Sequence, residues 1–164
     1  TTEEFLQIHA RARKIPDMQV VRETIKLANN FTGEKIKGDT RVTVLSGGQT
    51  RSLLIADAIL IGAAPIILLD EIENAGIFKQ EVVNLIQNAG KMVVFVTHDP
   101  VIALLTRIRI IMENGGIKKV LNQNETEIWA AQNLLELDKK IGNVREELRA
   151  GKAITHDFLA VNFA

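Results

Sequence analysis

Two short apolar runs constrain this chain more than anything else in it. The first is Pro65-Ile66-Ile67-Leu68-Leu69, ending in Asp70-Glu71; the second is Met92-Val93-Val94-Phe95-Val96, ending in Thr97-His98-Asp99. Apolar runs of this length read as buried strands of a parallel sheet, with Phe78 to Asn88 helix-like between them. Open α/β sheets bind ligands at the carboxyl edge of their strands. Both runs deliver polar side chains to that edge: Asp70 and Glu71 from one, His98 from the other. The expected fold class is α/β.

Upstream, Leu45-Ser46-Gly47-Gly48-Gln49 leads into a further apolar run from Leu53 to Leu60. Two vicinal glycines strip side chains from a turn, so backbone N–H groups can approach an anion closely. Ser46 is a good N-cap, Thr50 to Ala56 reads as the helix it opens, and the positive end of that helix points at whatever sits on the glycines. On these five residues alone, an ordinary Gly-Gly turn before a buried helix is an equal reading. Together, however, LSGGQ, IILLDE and VFVTHD, in this order and spacing, resemble the ATP-binding cassette (ABC) ATPases. The resemblance covers residues 5 to 121 or so.

That resemblance implies a P-loop NTPase-like, mostly parallel sheet, with a helical subdomain before the signature motif and a helical extension behind. The expected division is 1–44 for the helical subdomain and connector, 45–121 for the C-terminal half of the core, and 122–164 for the extension and tail. It implies ATP binding and hydrolysis with Mg²⁺ at a head-to-tail dimer interface with a second ABC domain. Ser46, Gly47, Gly48 and Gln49 would serve the partner's nucleotide. Asp70 would orient Mg²⁺ through its water shell, Glu71 would polarise the water attacking the γ-phosphate, and His98 would bond that phosphate. A glutamine closes a strand in this family shortly before a helix like Val20-Val21-Arg22-Glu23-Thr24-Ile25. Gln7 is thereby a candidate contact for Mg²⁺ and the attacking water; a solvent-facing helix glutamine is the other reading. The segment from Thr1 to Lys14 reads as short and charged, ended by Pro16.

The chain also departs from the family pattern. No phosphate loop is present: Gly33 to Thr40 has the glycine spacing, but Asp39 stands where the lysine belongs and no apolar strand precedes it. The expectation is that this is the C-terminal part of a longer cassette, with the Walker A half in the same gene or on another chain, and that the chain alone is inactive and binds ATP poorly. After the acidic pair, Ile72 replaces a usual proline. In Glu73-Asn74-Ala75-Gly76-Ile77, Ile77 stands where an aspartate usually reaches across the dimer. The same string resembles cassettes allied to the ATP-dependent activation component of methyl-coenzyme M reductase.

Charge and composition narrow the partners. The 164 residues carry 20 basic and 20 acidic side chains, so no electrostatic footprint for nucleic acid appears. Cysteine is absent, which excludes disulfides and thiolate metal sites. No signal peptide is read, and the apolar tract from Leu53 to Leu69 is broken by Asp57 and Pro65, so a soluble cytoplasmic protein is expected, with a membrane or enzyme partner open. Pro100 to Thr106 reads as a short helix, and Arg107 to Leu121 as a hairpin turning at Asn114-Gly115. Leu134, Leu137, Ile141, Val144 and Leu148 form a heptad seam, expected to fold back on its own domain or else to bind a partner, with Trp129 as anchor. Gly151 ends that helix, and Thr155-His156-Asp157 reads as a tail turn. Two other classes stay open: the C-terminal lobe of a chromosome-maintenance or DNA-repair ATPase, whose coil would instead precede the signature, and a non-hydrolytic assembly module dimerising through the terminal helix.

Overall fold

The structure, a computed structural model, describes residues 1–15, 17–70, 72, 83–84 and 88–163. It divides into two compact units, Thr1–Asp99 and Pro100–Ala164, each described by itself.

The first unit opens with helix α1, Thr2–Ala12. A capping box starts it: the Thr1 hydroxyl accepts the Glu4 N–H at 3.2 Å while the Glu4 side chain reaches back to the Thr1 backbone. Glu3 and Glu4 in the first turn and His9 and Arg11 in the last complement the helix dipole. The segment read as merely charged is thus a helix, with Thr2, Leu6 and Ala10 buried on one face. Helix α2, Met18–Phe31, is capped by Asp17, whose carboxylate accepts the Gln19 N–H at 2.7 Å. Its buried stripe is Val21, Thr24, Ala28 and Phe31, the spacing of an amphipathic helix. Helix α1 packs on α2, and α2 packs on the third helix.

The polar connector that follows is tied into this helix pair. Asn29, still helical, accepts the Ile36 N–H at 2.6 Å and donates to the Ile36 carbonyl at 3.0 Å, which satisfies the backbone around a buried isoleucine. The Thr40 carbonyl accepts from both the N–H and the hydroxyl of Thr2, at 2.8 and 2.9 Å, and the Gly38 carbonyl accepts the Glu3 N–H at 3.0 Å. Residues 33–40 therefore follow a helix and hold the start of α1, in keeping with their rejection as a phosphate loop.

Helix α3, Gly47–Leu60, follows a single 3₁₀ turn at Val42–Val44. It begins three residues earlier than the sequence suggests, and Gly47 and Gly48 both lie in its first turn. Its end is fixed at Gly62, where a Cβ would come within 2.7 Å of the Ala58 carbonyl oxygen. Strands β1, Ile66–Asp70, and β2, Met92–Val96, pair in parallel with Ile66 opposite Met92 and Asp70 opposite Val96. The parallel α/β expectation holds in this small sheet. The expected burial does not: Ile67 and Leu69 are buried, but Leu68 is 74% exposed, and Ile66, Met92, Val94 and Val96 are exposed as well. Alternate residues of a strand face opposite sides, so among the described residues only one face of β1 is covered.

In the second unit, helix α4 (Pro100–Leu105) starts on a proline, which lacks only an N–H that the first turn would leave unpaired. Strands β3 (Ile108–Glu113) and β4 (Gly116–Asn122) form the expected hairpin. Asn114 and Gly115 both adopt positive φ, 50° and 77°, as a two-residue hairpin turn of this kind requires. Helix α5, Glu125–Arg149, also opens on a capping box, Asn124 with Glu127, and packs on α4. Arg109 pairs with Glu127 and so fastens the hairpin to α5. Gly151, at φ 69°, follows the end of α5. The expected tail turn instead starts helix α6, His156–Phe163, with the Thr155 hydroxyl accepting the Phe158 N–H at 3.2 Å. Helix α6 meets α5 through Asn143 and Asn162 (2.7 Å) and through Lys140, whose Nζ lies 5.8 Å from the Phe163 ring centroid.

The heptad seam requires a correction. Leu134 and Val144 are half-buried, but Leu137 is 47% exposed and Ile141 and Leu148 are exposed too. Trp129, the expected anchor, is 66% exposed. Two short helices, α4 and α6, dock on α5 and leave Leu137, Ile141 and Leu148 exposed. No helix among the described residues is long and apolar enough to cross a membrane.

Candidate functional site

The N-terminus of α3 is built by its own sequence. The Ser46 hydroxyl accepts the Gln49 N–H at 3.3 Å, and the Gln49 side-chain oxygen accepts the Ser46 N–H at 2.9 Å. The Ser46 carbonyl accepts the Thr50 N–H at 2.9 Å. These bonds settle the third and fourth N–H groups of the helix, and the amides of Gly47 and Gly48 have no intrahelical acceptor. Both point along the positive end of the dipole. A Cβ at Gly47 would meet nothing within 4 Å, so that side of the turn is open for an anion to approach. The Ser46 hydroxyl, already an acceptor, keeps its proton to donate. The turn is thus a capped helix start whose first two N–H groups have no acceptor within the helix.

The other end of α3 is anchored. The Ile61 and Gly62 amides both donate to the Asp57 carbonyl at 2.8 Å. Lys91, the residue before β2, donates from Nζ to the carbonyls of Ala58 at 2.7 Å and Gly62 at 2.6 Å. A cation on the last carbonyls of a helix is favourable for both dipole and hydrogen bonding. Nothing in the residues around Lys91 announces this role; only the return of β2 beside the end of α3 creates it.

At the carboxyl edge of the sheet, Asp70 is exposed as the last residue of β1, and His98 is exposed two residues beyond the end of β2. Because Asp70 pairs with Val96, the strand register brings Asp70 and His98 to the same edge. The Thr97 hydroxyl accepts the Asp99 N–H at 2.9 Å and shapes the turn carrying His98. Glu71 lies outside the described residues, as do 73–77, where Ile77 replaces the usual aspartate, and most of the expected helix at 78–88. Ile72 is described and buried.

Gln7 sits in the middle of α1, with its amide 3.4 Å from Glu3. It does not close a strand. The helix-glutamine reading describes its position, and the chain's own capping box and i, i+4 apolar spacing are why. Among the described residues no group of three or more His, Asp or Glu side chains is arranged to hold a metal. A lone exposed carboxylate at Asp70 still fits Mg²⁺, which takes one or two carboxylates and completes its octahedron with waters and phosphate oxygens.

Across 161 residues, 98% of its length, the chain is 45% identical to an ABC transporter ATP-binding protein of Methanocaldococcus jannaschii. Over 120 residues, 70% of its length, it is 29% identical to the macrolide export ATP-binding/permease protein of Campylobacter fetus. Its homologues are ABC transporter ATP-binding proteins. They support a relationship of this chain to the ABC ATPases. The chain spans 62% of the first of these ABC relatives and 19% of the second. No family model and no solved structure matches it.

Proposed function

We propose that this chain carries the signature, Walker B and switch portion of an ABC-type ATPase that binds and hydrolyses ATP in a head-to-tail dimer. The observation that carries the reading is the register of the parallel pair, which puts Asp70 and His98 at one sheet edge. The capped, donor-rich start of α3 supports it independently. Gly47 and Gly48 offer N–H groups and Ser46 a hydroxyl to the γ-phosphate of a nucleotide held by the partner domain, with Gln49 fixing the cap. On the chain's own side, Asp70 would hold Mg²⁺ through its water shell, Glu71 would accept a hydrogen bond from the attacking water, and His98 would donate to the γ-phosphate. When bound, Mg²⁺ neutralises phosphate charge and leaves the protein the work of positioning. The phosphate-loop half would come from another part of the protein or another chain, a second ABC domain would complete the dimer, and a permease is the partner class suggested by the relatives. A cytoplasmic location suits such a role.

The test uses the Walker A half together with this chain. Glu71→Gln keeps size and reach but removes the charge that polarises water. Steady-state phosphate release should fall by about 10²-fold or more, while ATP binding survives and the nucleotide-bound dimer persists longer in sedimentation. Asp70→Asn should instead weaken Mg²⁺-dependent binding. Near-normal turnover in the Glu71→Gln protein would sink the assignment and shift attention to His98.

One observation favours a second reading. The half-exposed seam from Leu134 to Leu148 suits an assembly module dimerising through α5. Size-exclusion of a chain ending at Asn122 separates the two, since the module would lose its dimer and the ATP-dependent dimer would not.

A further inference from the structure

Asp57 lies in the C-terminal half of α3 and is 4% exposed. One carboxylate oxygen, Oδ2, is 2.6 Å from His9 Nδ1 on α1; the other, Oδ1, is buried without a hydrogen-bond partner among the described residues. A buried carboxylate with half its capacity unmet leans heavily on the bond it has. We propose that His9 is a positioning residue, coupling α1 through Asp57 to the helix that carries the signature motif.

The geometry favours transmission along α3. Helix α1 packs chiefly on α2, so the His9–Asp57 bond is a polar link from α1 directly to α3. Lys91 holds the same end of α3 from the side of β2. An α-helix is stiff over this length, and the eleven steps from Ser46 to Asp57 span roughly 16 Å at 1.5 Å each. A change of angle at Asp57 is therefore felt at the Ser46 cap.

His9 retains about a third of its side-chain exposure, and its ring leans on Phe5, with centroids 6.2 Å apart. Burial pushes the Asp57 carboxyl up, and His9 and Arg13 oppose that rise.

That the Ser46 end of α3 faces a nucleotide rests on the ATPase reading above; the coupling itself does not. Hydrogen exchange of the full chain at one pH tests it. His9→Phe, which keeps a ring against Phe5 but offers no donor, should lower the protection of amides from Gln49 to Leu54 by about tenfold, the equivalent of one hydrogen bond to a buried carboxylate. His9→Gln, whose amide can donate to Asp57, should recover most of that protection, which a mere packing role would not give. Asp57→Leu, which preserves volume and removes the acceptor, should give the same loss and carries the test if the first variant does not fold. Unchanged protection in His9→Phe or Asp57→Leu, no recovery in His9→Gln, or changes confined to residues 57–62 would overturn the coupling. ATP turnover of the wild-type chain with the Walker A half is measured in parallel. Its absence would count against the ATPase reading alone.

Discussion

Removing the Lys91 ammonium should loosen the end of α3 more than any comparable surface change. Its Nζ donates to two helix-end carbonyls at 2.6 and 2.7 Å, in a half-buried position. Hydrogen bonds from a charged donor contribute roughly 1.5–3 kcal/mol net when buried. Partial exposure lowers each, so two of them come to about 2–4 kcal/mol. Lys91→Met keeps the length and apolar stem of the side chain but leaves the Ala58 and Gly62 carbonyls to whatever water can reach them. For a unit of about 100 residues, 1 kcal/mol moves the melting temperature by roughly 4–8 °C, so a fall of about 10 °C or more is expected. Circular dichroism at a helix wavelength is the suitable probe. Tryptophan fluorescence is not, because Trp129 belongs to the other unit and is exposed. Lys91→Arg retains donors of the same charge and should recover most of the loss. A Lys91→Met protein melting within about 2 °C of wild type would refute the anchoring argument.

Ser46→Ala removes both the capping acceptor and the outward hydroxyl; it should cost about 1 kcal/mol of stability, read by urea unfolding, and lower ATP turnover by more than that loss explains. Leu137→Asp, at a position 47% exposed, should change the stability of the lone chain by less than about 1 kcal/mol; a large loss, or a change in oligomeric state by sedimentation, would show that a partner covers the seam. The Arg109 hydrogen bond holds the Glu127 carboxyl below its usual range. Because a lowered carboxyl binds its proton less readily folded than unfolded, the stability it lends is present above the ordinary glutamate range and lost as pH falls through the lowered value. Glu127→Gln should therefore remove part of the acid sensitivity of the second unit; identical acid unfolding profiles would refute this. On the proposed reading, this chain by itself should bind ATP more weakly than ~0.1 mM, since it offers few phosphate contacts, and low-micromolar binding by calorimetry would overturn that expectation.

The features legible in the sequence are those whose partners lie within one turn. Ser46 and Gln49 stand three residues apart, so the N-cap of their box is readable from residue types and spacing, though the helix begins earlier than the apolar pattern implies. Asn114-Gly115 announces its hairpin because few other residue pairs tolerate two positive φ values in succession. The strand ends at Asp70 and Val96 follow from unbroken apolar runs. Helix α1 opens on the same kind of box, Thr1 with Glu4, yet the segment reads only as charged. The charge of that segment obscures its buried face of Thr2, Leu6 and Ala10.

By itself, the sequence determined the two parallel strands, the capped helix after Ser46, the short helix from Pro100 and the hairpin, in their order, and that Asp70 and His98 lie at the carboxyl edge of the sheet; it did not disclose α1 or α6. Tertiary structure alone decided which distant groups meet. His9 and Asp57 are separated by 48 residues, and Lys91 and Ala58 by 33. No periodicity or turn chemistry records such a pairing, because it depends on how whole helices cross. Tertiary structure also decided which apolar stripes are covered: Leu68 and Leu137 have the residue type and spacing of core positions and are exposed. Hydrophobic pattern states which face an element can bury, and only the presence of a neighbour against that face buries it.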